Sequence, residues 1–143
     1  MTENLLVERT LEHFDAVRRK DLVSILALYA ETEDLLVFVE GPRWQTLGYE
    51  NVKRGWTDFV DAPITVIGCE WIEHLRSKIT GKMGFVAGIT ELDLAINGEP
   101  KTIRFRGTFI FEQDDAGEWK VVLEHFSQPA ADPYGIGDWL KSV

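Results

Sequence analysis

The sequence predicts an α+β domain in which helices come first and a run of antiparallel strands follows. Up to about residue 30, apolar residues recur at helical spacing with charged residues between them. After Pro63, long segments rich in β-branched and aromatic residues alternate with short turn sequences. Helices followed by a run of strands are typical of one sheet with the helices packed on one of its faces.

Three helices are predicted. From Glu3 to Arg19, leucine, phenylalanine and valine residues recur at roughly helical spacing, which indicates an amphipathic helix. Asp21 is a suitable N-cap for a second helix over LVSILALYA, which the acidic sequence ETED ends. A third, shorter helix is predicted over VKRGWTDFV, where Trp56 and Phe59 lie on one side.

The strands are predicted from alternation and turn signals. A first strand, LLVFVE, precedes an irregular loop, GPRWQTLGYEN. Three long strands follow at ITVIGCEWIEHLRSKIT, MGFVAGITELDLAI and KTIRFRGTFIFEQ, with turns at NGEP and DDAGE. In the last strand, within GEWKVVLEHFSQP, strict alternation places Val121 and His125 on one side and Glu124 and Phe126 on the other. Both faces then mix polar and apolar groups, which is unusual for a half-buried strand. Either His125 or Glu124 belongs to a site, or the two residues only complete the packing.

Composition limits the class of protein. The 143 residues suit one domain, with a tail after about residue 130 that is predicted to be loose except where Tyr134 and Trp139 dock. The formal charge of −9 weighs against nucleic-acid and anionic-membrane partners. The single cysteine, Cys69, excludes an intrachain disulfide framework and a zinc site of several thiolates. No apolar run is long enough to span a bilayer and the N-terminus does not resemble a signal peptide, so a cytoplasmic location is predicted.

The order of segments resembles the SnoaL-like branch of the nuclear-transport-factor-2-like superfamily, over roughly Glu8 to Pro129. The most specific matches are Asp21, Leu22, Trp119, His125, Ser127 and Pro129. The resemblance implies a cone, in which a strongly curved antiparallel sheet wraps around the N-terminal helices and encloses a pocket. It also implies that the outer sheet face often forms a homodimer. The superfamily contains both enzymes and non-catalytic modules, so the fold does not give the function.

Comparison with the ketosteroid isomerase branch changes the expected chemistry. That enzyme uses an Asp base with an oxyanion hole formed by a Tyr and a protonated Asp. The resemblance places Gly41 at the position of the base, with Glu40 beside it, and Arg106 or Gly107 at the position of the second acid. His13 falls where the family has its Tyr. Isomerase chemistry of that type is therefore not expected.

The strand KTIRFRGTFIFE suggests a polar anchor for a ligand. Arg106 and Thr108 share one of its faces, and the related association domains have cationic side chains on the pocket face near Thr108 and Phe126. The resemblance therefore implies that the face of this strand with Arg106 and Thr108 lies inside the cone. There an Arg106–Glu124 pair would hold a carboxylate, carbonyl or hydroxyl group of the ligand. The alternative is a structural ion pair, or one at the rim of the pocket, that contributes little to the stability of the fold.

Aromatic residues are predicted at the mouth of the cone, where Trp44, Tyr49 and Trp56 border the loop. Such walls suit an apolar or aromatic ligand, although large aromatic side chains are equally often simply core. His125 is predicted to face away from the pocket, because alternation places it opposite Glu124.

These observations predict a domain that needs no cofactor and binds a small, largely apolar molecule. If it is an enzyme, Glu40, Glu124 or His13 would perform general acid–base work on an activated C–H or C–OH bond. The alternative is a non-catalytic homodimerisation module. No metal-ligand spacing, Gly-rich phosphate loop or nucleophile motif is present in the sequence. The predicted ligand-binding residues are Arg106, Thr108, Trp44, Tyr49, Trp56 and Phe126.

Overall fold

The α+β prediction is confirmed by a computed structural model, which describes residues 2–39 and 41–140. The elements, in chain order, are α1 (Thr2–Arg19), α2 (Leu22–Leu26), β1 (Leu36–Phe38), β2 (Thr46–Leu47), α3 (Tyr49–Asp61), β3 (Ile64–Thr80), β4 (Met83–Ile96), β5 (Glu99–Gln113) and β6 (Trp119–Ser127).

The second helix is shorter than its apolar pattern suggests. Asp21 caps it as predicted, accepting a hydrogen bond from the Ser24 backbone N–H at 3.3 Å, but the helix ends at Leu26. The chain then runs beside β6, where Tyr29 and Val121 form a parallel bridge. Pairing with a strand therefore overrides local helix propensity here.

The six strands form one curved, unclosed sheet in the order β2-β1-β6-β5-β4-β3. All neighbouring strands are antiparallel except β1 and β6, which run parallel. The short β2 lies within the loop for which the sequence predicts no strand. Helix α1 packs across β3 and β4, so the concave face of the sheet is covered by helices.

Alternation along β5 separates an inner from an outer sheet face. Phe105, Phe109 and Phe111 are buried on the inner face, which builds the core together with apolar residues of the helices and of β1, β4 and β6. Arg104 and Arg106, the alternate residues, are exposed on the outer face.

Strand β6 contains an irregularity that explains its mixed faces. Ile110 of β5 pairs with Leu123, but the next residue, Phe111, pairs with Val121, which leaves Val122 without a β5 partner in this register. A bulge of this kind reverses the alternation on one strand. Val121 and Glu124 therefore both point into the core although they are three residues apart.

The C-terminal segment lies outside the core. The rings of Tyr134 and Trp139 contact each other at 5.6 Å between centroids, but 67% and 72% of these residues stay exposed. The prediction that they dock on the domain is therefore wrong. None of the described helices is both long enough and apolar enough to cross a membrane.

The close approach of α1 to β4 makes Gly84 sensitive to substitution. A Cβ atom added there would lie 2.5 Å from Leu6 Cδ1 and 2.9 Å from the Lys78 carbonyl oxygen. We expect Gly84→Ala to lower the free energy of unfolding by about 1–3 kcal/mol, because a rigid backbone atom cannot move aside. Urea denaturation measures the change. Gly68→Ala is the matched control, since a Cβ at this other strand glycine meets nothing within 4 Å. Equal losses of unfolding free energy in both variants would show that the close contacts at Gly84 are not the cause.

Candidate functional site

A buried chain of hydrogen bonds joins α3, β6 and the segment that follows α2. The Tyr29 hydroxyl donates to Glu124 Oε1 at 2.6 Å, and Trp56 Nε1–H of α3 donates to the Tyr29 hydroxyl at 3.1 Å. Glu124 of β6 is only 3% exposed. Burial, followed by the negative charge of Glu124 and the hydrogen bond to it, raises the pKa of Tyr29 well above its usual value. Tyr29 therefore stays protonated and acts as a donor to the carboxylate.

His13 lies on α1 beside this chain and is buried among aromatic rings. Its ring centroid lies 5.6 Å from those of both Tyr29 and Trp56, in edge-on arrangements. Its Nδ1 atom is 3.2 Å from the Ile25 carbonyl oxygen. Burial lowers the pKa of His13 to about 4, although the hydrogen bond to Ile25 opposes the shift. The imidazole is thus neutral near neutral pH, with Nδ1–H donating to Ile25 and Nε2 left as an acceptor.

His13, Trp56 and Glu124 border an inner cavity of about 120 Å³ between α1, α3 and the concave face of the sheet. An apolar cavity of about 150 Å³ can hold a benzene ring, so a single ring or a short chain suits this space. His13, Thr90 and Glu124 are its hydrogen-bonding residues. The remaining lining is Phe14, Val17, Val39, Trp56, Cys69, Leu92, Phe105, Phe109 and Phe126.

A second space, the apolar cleft, adjoins the inner cavity. It measures about 370 Å³ and shares four lining residues with the inner cavity: Val17, Val39, Trp56 and Leu92. Val52, Phe59, Ile64 and Val66 extend its apolar wall. The two spaces together provide room for a molecule larger than one ring.

Four of the predicted site residues line the inner cavity: His13, Trp56, Glu124 and Phe126. Tyr29, whose hydroxyl contacts Glu124, is not singled out by the sequence. A tyrosine at helical spacing in LVSILALYA is typical of a core residue, and only the early end of α2 turns it toward β6.

The prediction that Arg106 lies inside the cone is wrong. Phe105 and Phe109 occupy the inner face of β5, so Arg106 and the half-buried Thr108 lie on the outer face. The Arg106 guanidinium donates to Ser127 Oγ at 3.0 Å and to the Gln128 carbonyl oxygen at 3.1 Å. It therefore makes no pair with Glu124, which points to the opposite side of the sheet.

Next to Arg106, at Gly107, an aromatic ring covers the inner face of β5. Gly107, one of the two positions matched to the second acid of ketosteroid isomerase, is buried, and a Cβ atom added there would lie 2.8 Å from the Phe126 ring. The ring thus occupies the space that an acidic side chain would need.

The other predicted residues lie elsewhere. Trp44 is 95% exposed and lines neither the inner cavity nor the apolar cleft. Tyr49 begins α3 and packs against the edge of the core, where burial raises the pKa of its hydroxyl. Glu40 lies outside the described residues. His125 is exposed on the outer face, as predicted, and its ring contacts that of Phe38.

The site does not resemble a metal centre. Across residues 2–39 and 41–140, no three His, Cys, Asp or Glu side chains lie close enough together to hold a metal ion.

The fold is that of the nuclear transport factor 2-like class. A superfamily protein of this kind from Salmonella enterica matches with a TM-score of 0.81 at 14% identity, covering 95% of this chain and 96% of that one. A ketosteroid isomerase-like protein from Erwinia carotovora atroseptica matches with a TM-score of 0.70 at 13% identity, covering 89% and 97%. A protein from Xanthomonas campestris, provisionally named a calcium/calmodulin dependent protein kinase II association domain, matches with a TM-score of 0.66 at 18% identity, covering 82% and 80%. At these identities the matches establish the fold alone.

Within this class the family is established from the sequence. Residues 7–131 match the family model of the SnoaL-like domain, so the chain belongs to the SnoaL-like family and the predicted resemblance is confirmed. A search of the curated proteins finds no match.

The buried His13 predicts a pH dependence of stability. Its pKa is about 4 in the folded protein against 6.5 in the unfolded chain. Between these values the unfolded chain binds a proton that the folded protein excludes, so stability falls as the pH falls. Acidification from about pH 7 to about pH 4 is expected to lower the free energy of unfolding by roughly 3 kcal/mol through this group.

Urea denaturation at a series of pH values measures this loss. We expect His13→Gln to reduce the pH dependence over the same range, because the amide does not titrate. His125→Gln is the control, since His125 is exposed. If His13→Gln and the unmodified protein lose stability in parallel, the buried neutral imidazole is not the cause.

Proposed function

We propose that this domain binds a small, largely apolar molecule in the cone pocket, with Glu124 as its polar anchor and acid–base group. The observation that supports this proposal is a carboxylate that is 3% exposed yet borders a cavity lined mainly by aromatic and aliphatic side chains. Burying a carboxylate is expensive, and apolar residues of similar volume often stabilise a core at least as well. A functional role accounts for its presence better than a structural one.

The proposed chemistry is the transfer of a proton from an activated C–H bond to Glu124. The carboxylate accepts the proton, the electron pair moves into the neighbouring electron-withdrawing group, and the protonated Glu124 then returns the proton or protonates a leaving group. Tyr29 orients the carboxylate through its 2.6 Å hydrogen bond. His13 Nε2 is a second acceptor, and Trp56 and Phe126 form walls for the ligand. Glu40 remains an alternative base by sequence.

The test uses nitrobenzisoxazole, a small apolar molecule whose ring opens when a base removes its one acidic C–H proton. The proton passes to the base, the N–O bond breaks, and a coloured cyanophenolate forms. We expect saturable quenching of tryptophan fluorescence on binding, and ring opening at a rate that saturates over the same concentrations. Glu124→Gln should abolish the saturable ring opening, because an amide is not a base at neutral pH.

Glu112→Gln is the matched control, since Glu112 is an exposed glutamate on the neighbouring strand β5. Saturable binding with no ring opening would restrict the domain to a binding function. The absence of any saturable quenching would overturn the proposal.

A second candidate function, homodimerisation, is supported by the outer sheet face. Phe85, Ile110, Leu123 and Leu36 pair in register and form an apolar row across β4, β5, β6 and β1. All four are only partly buried in the single chain. A row of this kind suits a protein interface, and one structural relative is named an association domain. Arg106 and Thr108 lie on this same face. We therefore propose that they contact the second copy of the chain in a dimer and do not contact the ligand.

The dimer proposal predicts the effect of Ile110→Glu. A charge in the middle of the apolar row should shift a dimer to a monomer in sedimentation equilibrium, because it would be desolvated in the interface. Glu99→Lys, an exposed charge change at the start of β5, should leave the mass unchanged. A monomer at all concentrations for the unmodified protein would remove this candidate.

A further inference from the structure

Helix α3 has two adjacent stripes of side chains that line two different spaces. Val52, Trp56 and Phe59 line the apolar cleft. Asn51, Arg54 and Asp58 line a separate polar cleft of about 500 Å³. Each stripe repeats at spacings of three or four residues, as expected for neighbouring faces of one helix.

Three neighbouring spaces share lining residues. The inner cavity and the apolar cleft share four residues, including Trp56. The apolar cleft and the polar cleft share Arg43, Thr46 and Gly55. A ligand that reaches the apolar cleft therefore lies next to the polar cleft.

Two guanidinium groups are available in the polar cleft. Arg43 and Arg54 both line it, and within the described part of the chain neither guanidinium group makes a hydrogen bond or an ion pair. Asp58 lines the same cleft but does not pair with either of them. In contrast, Arg18 and Arg19 of α1 are paired with Asp15 at 2.8 and 2.9 Å.

Gly55 lies at the boundary between the two clefts. A Cβ atom added there meets nothing within 4 Å, so the space above this helical position is empty of protein. A glycine inside a helix is less stable than an alanine, and this position carries that cost without any steric need of the fold. The boundary is therefore uncovered at this position, and a larger side chain there would extend into the space between the clefts.

From this arrangement we infer that the ligand is amphipathic, with an apolar body in the apolar cleft and an anionic group held by Arg43 and Arg54. This inference rests on the proposed function. Guanidinium groups bind carboxylates and other oxyanions through paired, charge-assisted hydrogen bonds. The net charge of −9 repels anions at long range, so a local pair of cations would be needed to bind one.

The test compares two fluorescent probes that differ mainly in one charged group. Anilinonaphthalene sulfonate has an aromatic body and a sulfonate, and N-phenylnaphthylamine has the same body without it. We expect the anionic probe to bind about fivefold more tightly to the unmodified protein. In Arg43→Gln and Arg54→Gln this preference should shrink, and in the double variant it should vanish. Affinity for the neutral probe should stay the same.

Gly55→Leu tests the space between the clefts separately from the charges. The leucine enters open space, so the thermal unfolding midpoint should not fall, but the difference between the two probes should disappear. Arg76→Gln is the control for charge, because Arg76 lies on β3 and lines neither cleft.

The outcomes separate this inference from the proposed function. If both probes bind equally, and the arginine variants change neither affinity, the ligand does not need an anionic group and this inference fails. The proposed binding of an apolar molecule is then still supported. If the Arg76→Gln variant loses the preference as fully as the cleft variants, the effect is one of net charge and the inference also fails. If neither probe binds, the proposed function fails with it.

Discussion

The hydrogen bond between Tyr29 and Glu124 is the interaction on which the site depends. It requires α2 to end at Leu26, so that Tyr29 can lie beside β6, and it requires the bulge at Val122, so that Glu124 points inward. It also fixes Trp56, which donates to the Tyr29 hydroxyl from α3. A buried carboxylate needs such partners, because a low-dielectric interior destabilises an uncompensated charge. These two hydrogen bonds thus link α3 and the segment after α2 to the sheet and hold Glu124 at the cavity.

The surroundings of Glu124 set what the site can do. Aromatic and aliphatic side chains form most of the lining of the inner cavity, and apolar surroundings of this kind strengthen electrostatic interactions. The same burial keeps His13 neutral and Tyr29 protonated, so a carboxylate, an imidazole acceptor and a phenol lie within one small region. Groups whose environments shift their pKa values apart are typical of functional sites, although structural networks shift them as well. The buried polar chain therefore favours a function in the cavity, and the apolar row on the outer face favours an interface.

Most elements could be predicted from the sequence, but the faces of the strands could not all be assigned. The long strands β3, β4 and β5 have strong alternation and clear turns, and their predicted and observed bounds agree closely. Alternation also correctly places Phe109 and Arg106 on opposite faces of β5. It does not say which of these two faces is inside, and the resemblance to association domains suggested the wrong one. The burial of three phenylalanines decides the matter, since exposing them would cost far more than exposing two arginines.

The sequence alone predicts the α+β class, the family, the capped second helix and the short aromatic helix α3. These features depend on local periodicity and on residues close in the chain, which a single sequence contains. Three features become visible only in the folded chain: Tyr29 leaves its helix, a bulge turns Val121 and Glu124 to the same side, and Arg106 lies on the outer face. Each of these depends on pairing between segments far apart in sequence. One unpaired residue in β6 is enough to reverse the alternation, and no local pattern in GEWKVVLEHFSQP reveals where that residue falls.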